Sequence, residues 1–183
     1  MEVAQPDRRA DLLSFLFAGL QAGMLAAWWM LAWLGVCAVW QRSSFWTAEN
    51  LLASTFFGPS AIRSGFSLST FSGIALYLFI YSALGSLVAL GLRIRLARPQ
   101  LLLALILLSV AWYYLSFHGI WKIFNPLVAL LHAERPMILG HALYGAVLAR
   151  YPKCLHSGPA SERPSSNQDS DRQVVAAESN DRR

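Results

Sequence analysis

The chain has 183 residues, of which 56% are apolar and only 14% charged, against roughly 25% charged in an ordinary soluble domain. Its formal charge of +5 would suit nucleic acid in a soluble protein. Here the arginines and lysines gather at the ends of long uncharged runs, where they fix orientation in a bilayer, so no nucleic-acid partner is expected. A soluble domain is excluded, a second folded domain has no room, and an all-α polytopic bundle of about four transmembrane helices remains.

Met1–Asp11 is a short polar leader carrying Arg8 and Arg9. Leu12–Gln41 then runs without a single charge, long enough to span the roughly 20 residues that a hydrocarbon core requires. Helix 1 is placed over about residues 12–39. Leu34-Gly35-Val36-Cys37 has the outline of a lipoprotein signal, but Val36 is not small and the run far exceeds the 7–15 residues of a signal peptide, so an uncleaved helix is expected. Gly19 and Gly23, with Ala22, Ala26 and Ala27, form a stripe where another backbone can approach closely, either in a dimer or within the same bundle. Trp28, Trp29 and Trp33 lie deep for an interfacial belt, whereas Trp40 and Trp46 suit one.

Gln41–Ser72 is the longest connection, and its recurring Phe45, Trp46, Leu51, Leu52, Phe56 and Phe66 set it apart from a polar loop. Thr47 is expected to cap a short helix ending at Phe57, with Glu49 near its positive end and Gly58-Pro59 stopping it. Leu51, Leu52 and Phe56 would then share one face of a helix lying in the membrane interface. Helix 2 follows over about residues 73–92, with Ser82, Gly85, Ser86 and Ala89 as a second small-residue stripe. Arg93, Arg95 and Arg98 crowd the next turn. Helix 3, about residues 100–121, ends in Trp112, Tyr113, Tyr114, Phe117 and Trp121, which mark a membrane boundary.

A single helix from Pro126 to Tyr151 would bury Glu134 and Arg135, at a cost of several kcal/mol. Residues 125–135 are therefore read as a partial turn or re-entrant piece, and helix 4 as residues 136–151, opened by Pro136. Beyond Pro152 the chain turns polar, with too little apolar surface to offset its ordering entropy, and a disordered tail over 152–183 is expected. With four crossings, Arg8, Arg9, Arg93, Arg95, Arg98, Arg150 and Lys153 fall on one side and Arg42, Arg63, Lys122 and Arg135 on the other. That imbalance places both termini in the cytoplasm.

Chemistry-bearing residues are few. His118, His132, His141 and Glu134 match no metal spacing, and no metal or other cofactor is expected. No nucleophile–base pair, phosphate loop or G-x-S-x-G elbow is present. The candidate polar site is His141 and Tyr144 inside helix 4, with Glu134 and Arg135 at its start. His141 is expected to be a neutral residue bonded across the bundle, to Ser109, Tyr113 or Gln21.

The terminal run Asn125-Pro126, Pro136 and His141-Ala142-Leu143-Tyr144-Gly145-Ala146-Val147-Leu148 resembles the last helix of uncharacterised bacterial four-helix inner-membrane proteins, which end in H-x-x-Y-G-x-x-L. Ala149 stands where a further glycine would be expected. The resemblance implies a bacterial inner-membrane location and four helices, and it carries no activity. Three classes of function stay open: a non-enzymatic bundle that packs with lipid, a second copy or another membrane protein; a small transporter or channel using His141; and a membrane enzyme or redox protein.

Overall fold

The computed structural model describes residues 8–92, 97–150 and 152. Most of the expected leader, the arginine turn at 93–96 and the expected disordered tail past Pro152 lie outside the described residues. The described residues form α1 (Arg8–Trp40), α2 (Thr47–Phe57), α3 (Ser60–Arg63), α4 (Leu68–Gly91), α5 (Arg98–Leu115), a π-helical turn (Ser116–Ile120), α6 (Trp121–Phe124), α7 (Pro126–Leu131) and α8 (Glu134–Leu148). Among the described residues, three stretches are long and apolar enough to cross a membrane: Leu12–Trp40, Leu68–Gly91 and Arg98–Phe124, with mean hydropathies of 1.8, 2.0 and 1.9. Among the described residues the fold is all-helical, and its three long apolar helices fit a membrane protein.

Small residues decide how the long helices meet. A methyl group added at Gly19 would lie 2.6 Å from both the Ala89 Cβ and the Gly85 carbonyl oxygen, and one added at Gly23 would lie 2.9 Å from the Tyr81 carbonyl oxygen. The two small-residue stripes therefore face each other, and α1 and α4 touch backbone to backbone, as dispersion-driven helix association in lipid requires. Gly145 does the same for α8, since a Cβ there would sit 2.5 Å from the Leu105 carbonyl oxygen of α5. The chain thus builds a row of close contacts from α4 to α1, α1 to α8 and α8 to α5.

Several boundaries differ from the sequence reading. α4 starts at Leu68, ahead of the expected Gly73, because the Thr70 hydroxyl accepts from the Ser67 N–H at 3.1 Å and satisfies an early orphan donor. Thr47 is the first helical residue of α2 and not its cap; Trp46 holds that position, and the Thr47 hydroxyl donates to the Ser44 carbonyl. Gly58 adopts φ 71°, which ends α2 as expected. Leu51 and Leu52 point into the core, at 5% and 7% exposure, while Phe56 is exposed, so these three side chains do not share one outward face. The reason is that α2 packs on α4: the Glu49 carbonyl presses against Gly73, and a side chain at position 73 would collide with it.

α8 begins at Glu134, two residues before Pro136, and ends at Leu148. Proline is tolerated there because the first N–H groups of a helix have no intrahelical acceptor, and the first such bond runs from the Met137 N–H to the Ala133 carbonyl at 3.0 Å. Residues 125–135 hold the short α7, capped by the Asn125 side chain accepting from the Leu127 N–H at 3.2 Å, and then an extended break at His132. Asn125 also donates to the Ser54 and Thr55 hydroxyls, each at 3.0 Å, which ties this segment to α2.

Candidate functional site

The polar groups that the apolar helices cannot expose to lipid converge where α4, α5 and α8 meet. On α4, Tyr77 and Tyr81 stand four residues apart and stack, with ring centroids 4.4 Å apart. On α5, Ser109 and Tyr113 have the same spacing; on α8, His141 and Tyr144 are three apart, so each pair shares a helix face. Tyr77, Tyr113, Tyr144 and His141 are among the most deeply buried side chains in the molecule.

His141 is held at both ring nitrogens. Nδ1 lies 2.8 Å from the Met137 carbonyl oxygen, which can only accept, so Nδ1 carries the proton. Nε2 then accepts from the Tyr81 hydroxyl at 2.7 Å. Ser109 donates to the His141 carbonyl at 2.6 Å, and the Tyr144 hydroxyl donates to the Tyr81 carbonyl at 2.6 Å. Together these bonds lock α8 to both α4 and α5. A second pair repeats the design at the edge: His132 Nδ1 donates to the Ala129 carbonyl at 2.8 Å, and the Tyr113 hydroxyl donates to Nε2 at 3.0 Å. The Tyr113 ring lies between the two imidazoles, with centroids 5.3 Å from His141 and 5.8 Å from His132. The π-helical turn brings Ser116 and Phe117 inward together, and the Phe117 ring lies against His132, with centroids 4.4 Å apart and planes tilted by 33°.

Of the sequence-predicted residues, His141 and Tyr144 come together here, while Glu134 and Arg135 are exposed at the start of α8 and take no part. Gln21 is exposed on α1 and is not a partner of His141. Ser109 reaches its backbone rather than its ring, and Tyr113 meets the ring only by edge contact. The ring partner is Tyr81. His118 is exposed and stacks on Tyr114. Among the described residues, no three His, Cys, Asp or Glu side chains converge on a point where a metal ion could sit.

Sequence reasoning missed Glu49. Its side chain is 1% exposed, and burial pushes the carboxyl from its ordinary value of 4.5 up to about 7. One carboxyl oxygen has no hydrogen-bond partner, and neither has the Tyr77 hydroxyl, which lies within electrostatic reach of Glu49. The neighbouring Asn50, by contrast, is satisfied: its side chain donates to the Ser64 and Gly65 carbonyls and accepts from the Thr70 hydroxyl at 2.7 Å.

The fold and this centre define a helical membrane protein whose core is crossed by neutral tyrosine–histidine hydrogen bonds. No protein-family model, curated protein or solved structure matches the chain.

Proposed function

We propose that the chain is a non-enzymatic, multi-pass protein of a bacterial inner membrane, a structural or accessory bundle that acts through contacts with lipid or with membrane-protein partners. The observation that carries this reading is the closed bonding of His141. Both ring nitrogens and the backbone carbonyl are bonded to other groups inside the bundle, as expected of a residue that cross-links helices. In this reading α8 is the fourth crossing. Its 15 residues cover about 22 Å, short of a hydrocarbon core of about 30 Å, and local thinning or tilt of its neighbours makes up the difference.

Both termini face the cytoplasm in this arrangement, following the surplus of arginine and lysine on that side. The test is cysteine labelling in whole cells on a Cys37→Ser, Cys154→Ser background. Ser64→Cys is expected to react with an impermeant reagent from outside, and Ala97→Cys only after the cells are opened. The reverse pattern refutes the orientation, and labelling of both positions from outside refutes the crossing between them.

A transporter reading has one specific support: the buried Glu49, with an unpartnered oxygen beside an unpartnered Tyr77 hydroxyl. Buried ionisable groups in membrane proteins commonly mark ion pathways. Loss of a measured proton or solute flux in Glu49→Gln, with folding intact, would establish it over the structural reading.

A further inference from the structure

α2 sits between two turning points. Among the described residues only Arg42 and Gly58 take a left-handed backbone, at φ 58° and 71°, and they bracket the stretch that carries this helix. Hinge motions are absorbed at loop and element-terminal residues of this kind. Between them α2 is incompletely packed. Ala48, Leu51 and Leu52 border one cavity, shared with Tyr77 and Trp121, and Thr47, Ala48 and Leu51 border another, shared with Cys37 and Pro136. Voids along a helix forfeit dispersion contacts. The firmest seat of α2 is its seam with α4, where the Glu49 carbonyl presses on Gly73.

That seam closes over an acid. The Glu49 carboxyl has one oxygen unpartnered, and so has the Tyr77 hydroxyl, one turn beyond Gly73 on α4. Tyr77 is the titratable group that faces it from α4. α1 brings Cys37, the first hinge and α3 bring Arg42 and Arg63, and the turn after α7 brings His132, but none of these acts on the carboxyl. A carboxylate in the seam therefore has burial against it and only its own backbone N–H in its favour. The other ties are neutral: the Thr70 hydroxyl donates to Asn50, and Asn125 donates to Ser54 and Thr55. They hold α2 at every pH, whereas the seam is unstrained only while Glu49 keeps its proton.

We propose that α2 is a lid over Tyr77 and the cavity beside it, hinged at Arg42 and Gly58, that rests shut on α4 while Glu49 is protonated and opens when Glu49 ionises. Such a lid would serve an accessory bundle and a transporter alike, and it depends on the α2–α4 seam and not on either role. The closed state binds the proton more tightly than the open one, so opening grows as pH rises. With the carboxyl at its ordinary 4.5 when open and at about 7 when closed, the open population rises roughly 70-fold between about pH 5 and pH 8.

The test uses the full chain, purified in detergent micelles, on a Cys37→Ser, Cys154→Ser background. Ser54→Cys places a thiol at a buried position of α2, and its rate of reaction with N-ethylmaleimide is divided by that of Ser60→Cys, an exposed position, which cancels the titration of the thiol itself. The ratio is expected to rise by roughly 70-fold over that pH range and to stay flat when Glu49→Gln is added. A constant ratio in the first protein, or an equal rise with Glu49→Gln, overturns the proposal; should Glu49→Gln fail to fold, Glu49→Met is judged by the same outcomes. Ser109→Cys, buried between α5 and α8, is expected to stay unreactive throughout. A rise there in step with Ser54→Cys would mean that the whole bundle loosens, and no lid exists. Gly73→Ala, whose methyl group collides with the Glu49 carbonyl, is expected to raise the ratio even at the acid end, and an unchanged ratio also overturns the lid.

Discussion

Replacing Glu49 by glutamine should make the protein more stable above neutral pH, which is unusual for the loss of a buried charge-bearing residue. The carboxyl is enclosed between α2 and α4, with one oxygen unpartnered, and burial raises it from 4.5 to about 7. A raised carboxyl means that the folded state holds the proton more tightly than the unfolded chain. Stability is therefore fully present below 4.5, falls as pH rises through 7, and is level beyond it. A difference of about 2.5 at 1.36 kcal/mol per unit sets the loss at about 3 kcal/mol. Glutamine keeps the shape and cannot ionise, so its profile lacks this decline. The assay is thermal unfolding in detergent of wild type and Glu49→Gln at a series of pH values from about 4 to 8. The two curves should lie together at the acid end, separate between 4.5 and about 7 with the variant higher, and run parallel beyond that. Curves that run parallel across the whole range, or a variant that is less stable throughout, would show that the carboxylate has a charged or hydrogen-bonding partner and that the burial argument is wrong.

Two substitutions test the helix contacts. Gly23→Leu places side-chain atoms where the Tyr81 carbonyl oxygen and Gly85 Cα already stand 2.9 and 3.1 Å from a bare Cβ, so it should lower thermal stability by about 1–3 kcal/mol, the usual range for overpacking; unchanged melting would mean that α1 and α4 do not meet along this stripe. His141→Leu should cost about 1–3 kcal/mol by leaving the Tyr81 hydroxyl unpaired, whereas His141→Gln, which keeps an acceptor, should be milder. Equal losses of stability in the two variants would refute the hydrogen-bond account, and equal losses of a transport activity with stability intact would favour a proton-carrying role.

The three long apolar helices were legible because uncharged runs of this length have no other stable setting, and the glycines because small residues spaced by four on two helices predict close approach. The centre was only half legible. His141 and Tyr144 stood out as polar residues inside an apolar helix. The partner was harder to find: Tyr81 looks like one aromatic among many until Gly73, Tyr77, Tyr81, Gly85 and Ala89 are set in line at intervals of four. That line is the buried face of α4, and the tyrosines continue the same stripe that the small residues begin. Glu49 could not have been read this way. An acid in the first turn of a short helix is ordinarily a solvated complement to the helix dipole, and its burial depends on how closely α2 approaches Gly73, a contact across a turn of some twenty residues.

The two kinds of contact in this bundle do different work. Small-residue stripes bring backbones together at fixed points, and the hydrogen bonds add a second check on register. A shift of α8 by one turn, about 5.4 Å, would carry His141 away from Tyr81 and leave the Tyr144 and Ser109 hydroxyls without their acceptors in an apolar interior. Each such bond contributes modestly in a membrane, typically below 2 kcal/mol, so the network adds little to overall stability relative to an all-apolar core. What it supplies is discrimination, because every wrong register breaks several bonds at once while keeping much of the dispersion energy. Buried polar residues that fix register in this way are a recognised use of such groups. The same logic applies to α5, which Ser109 and the close approach at Gly145 fix against α8.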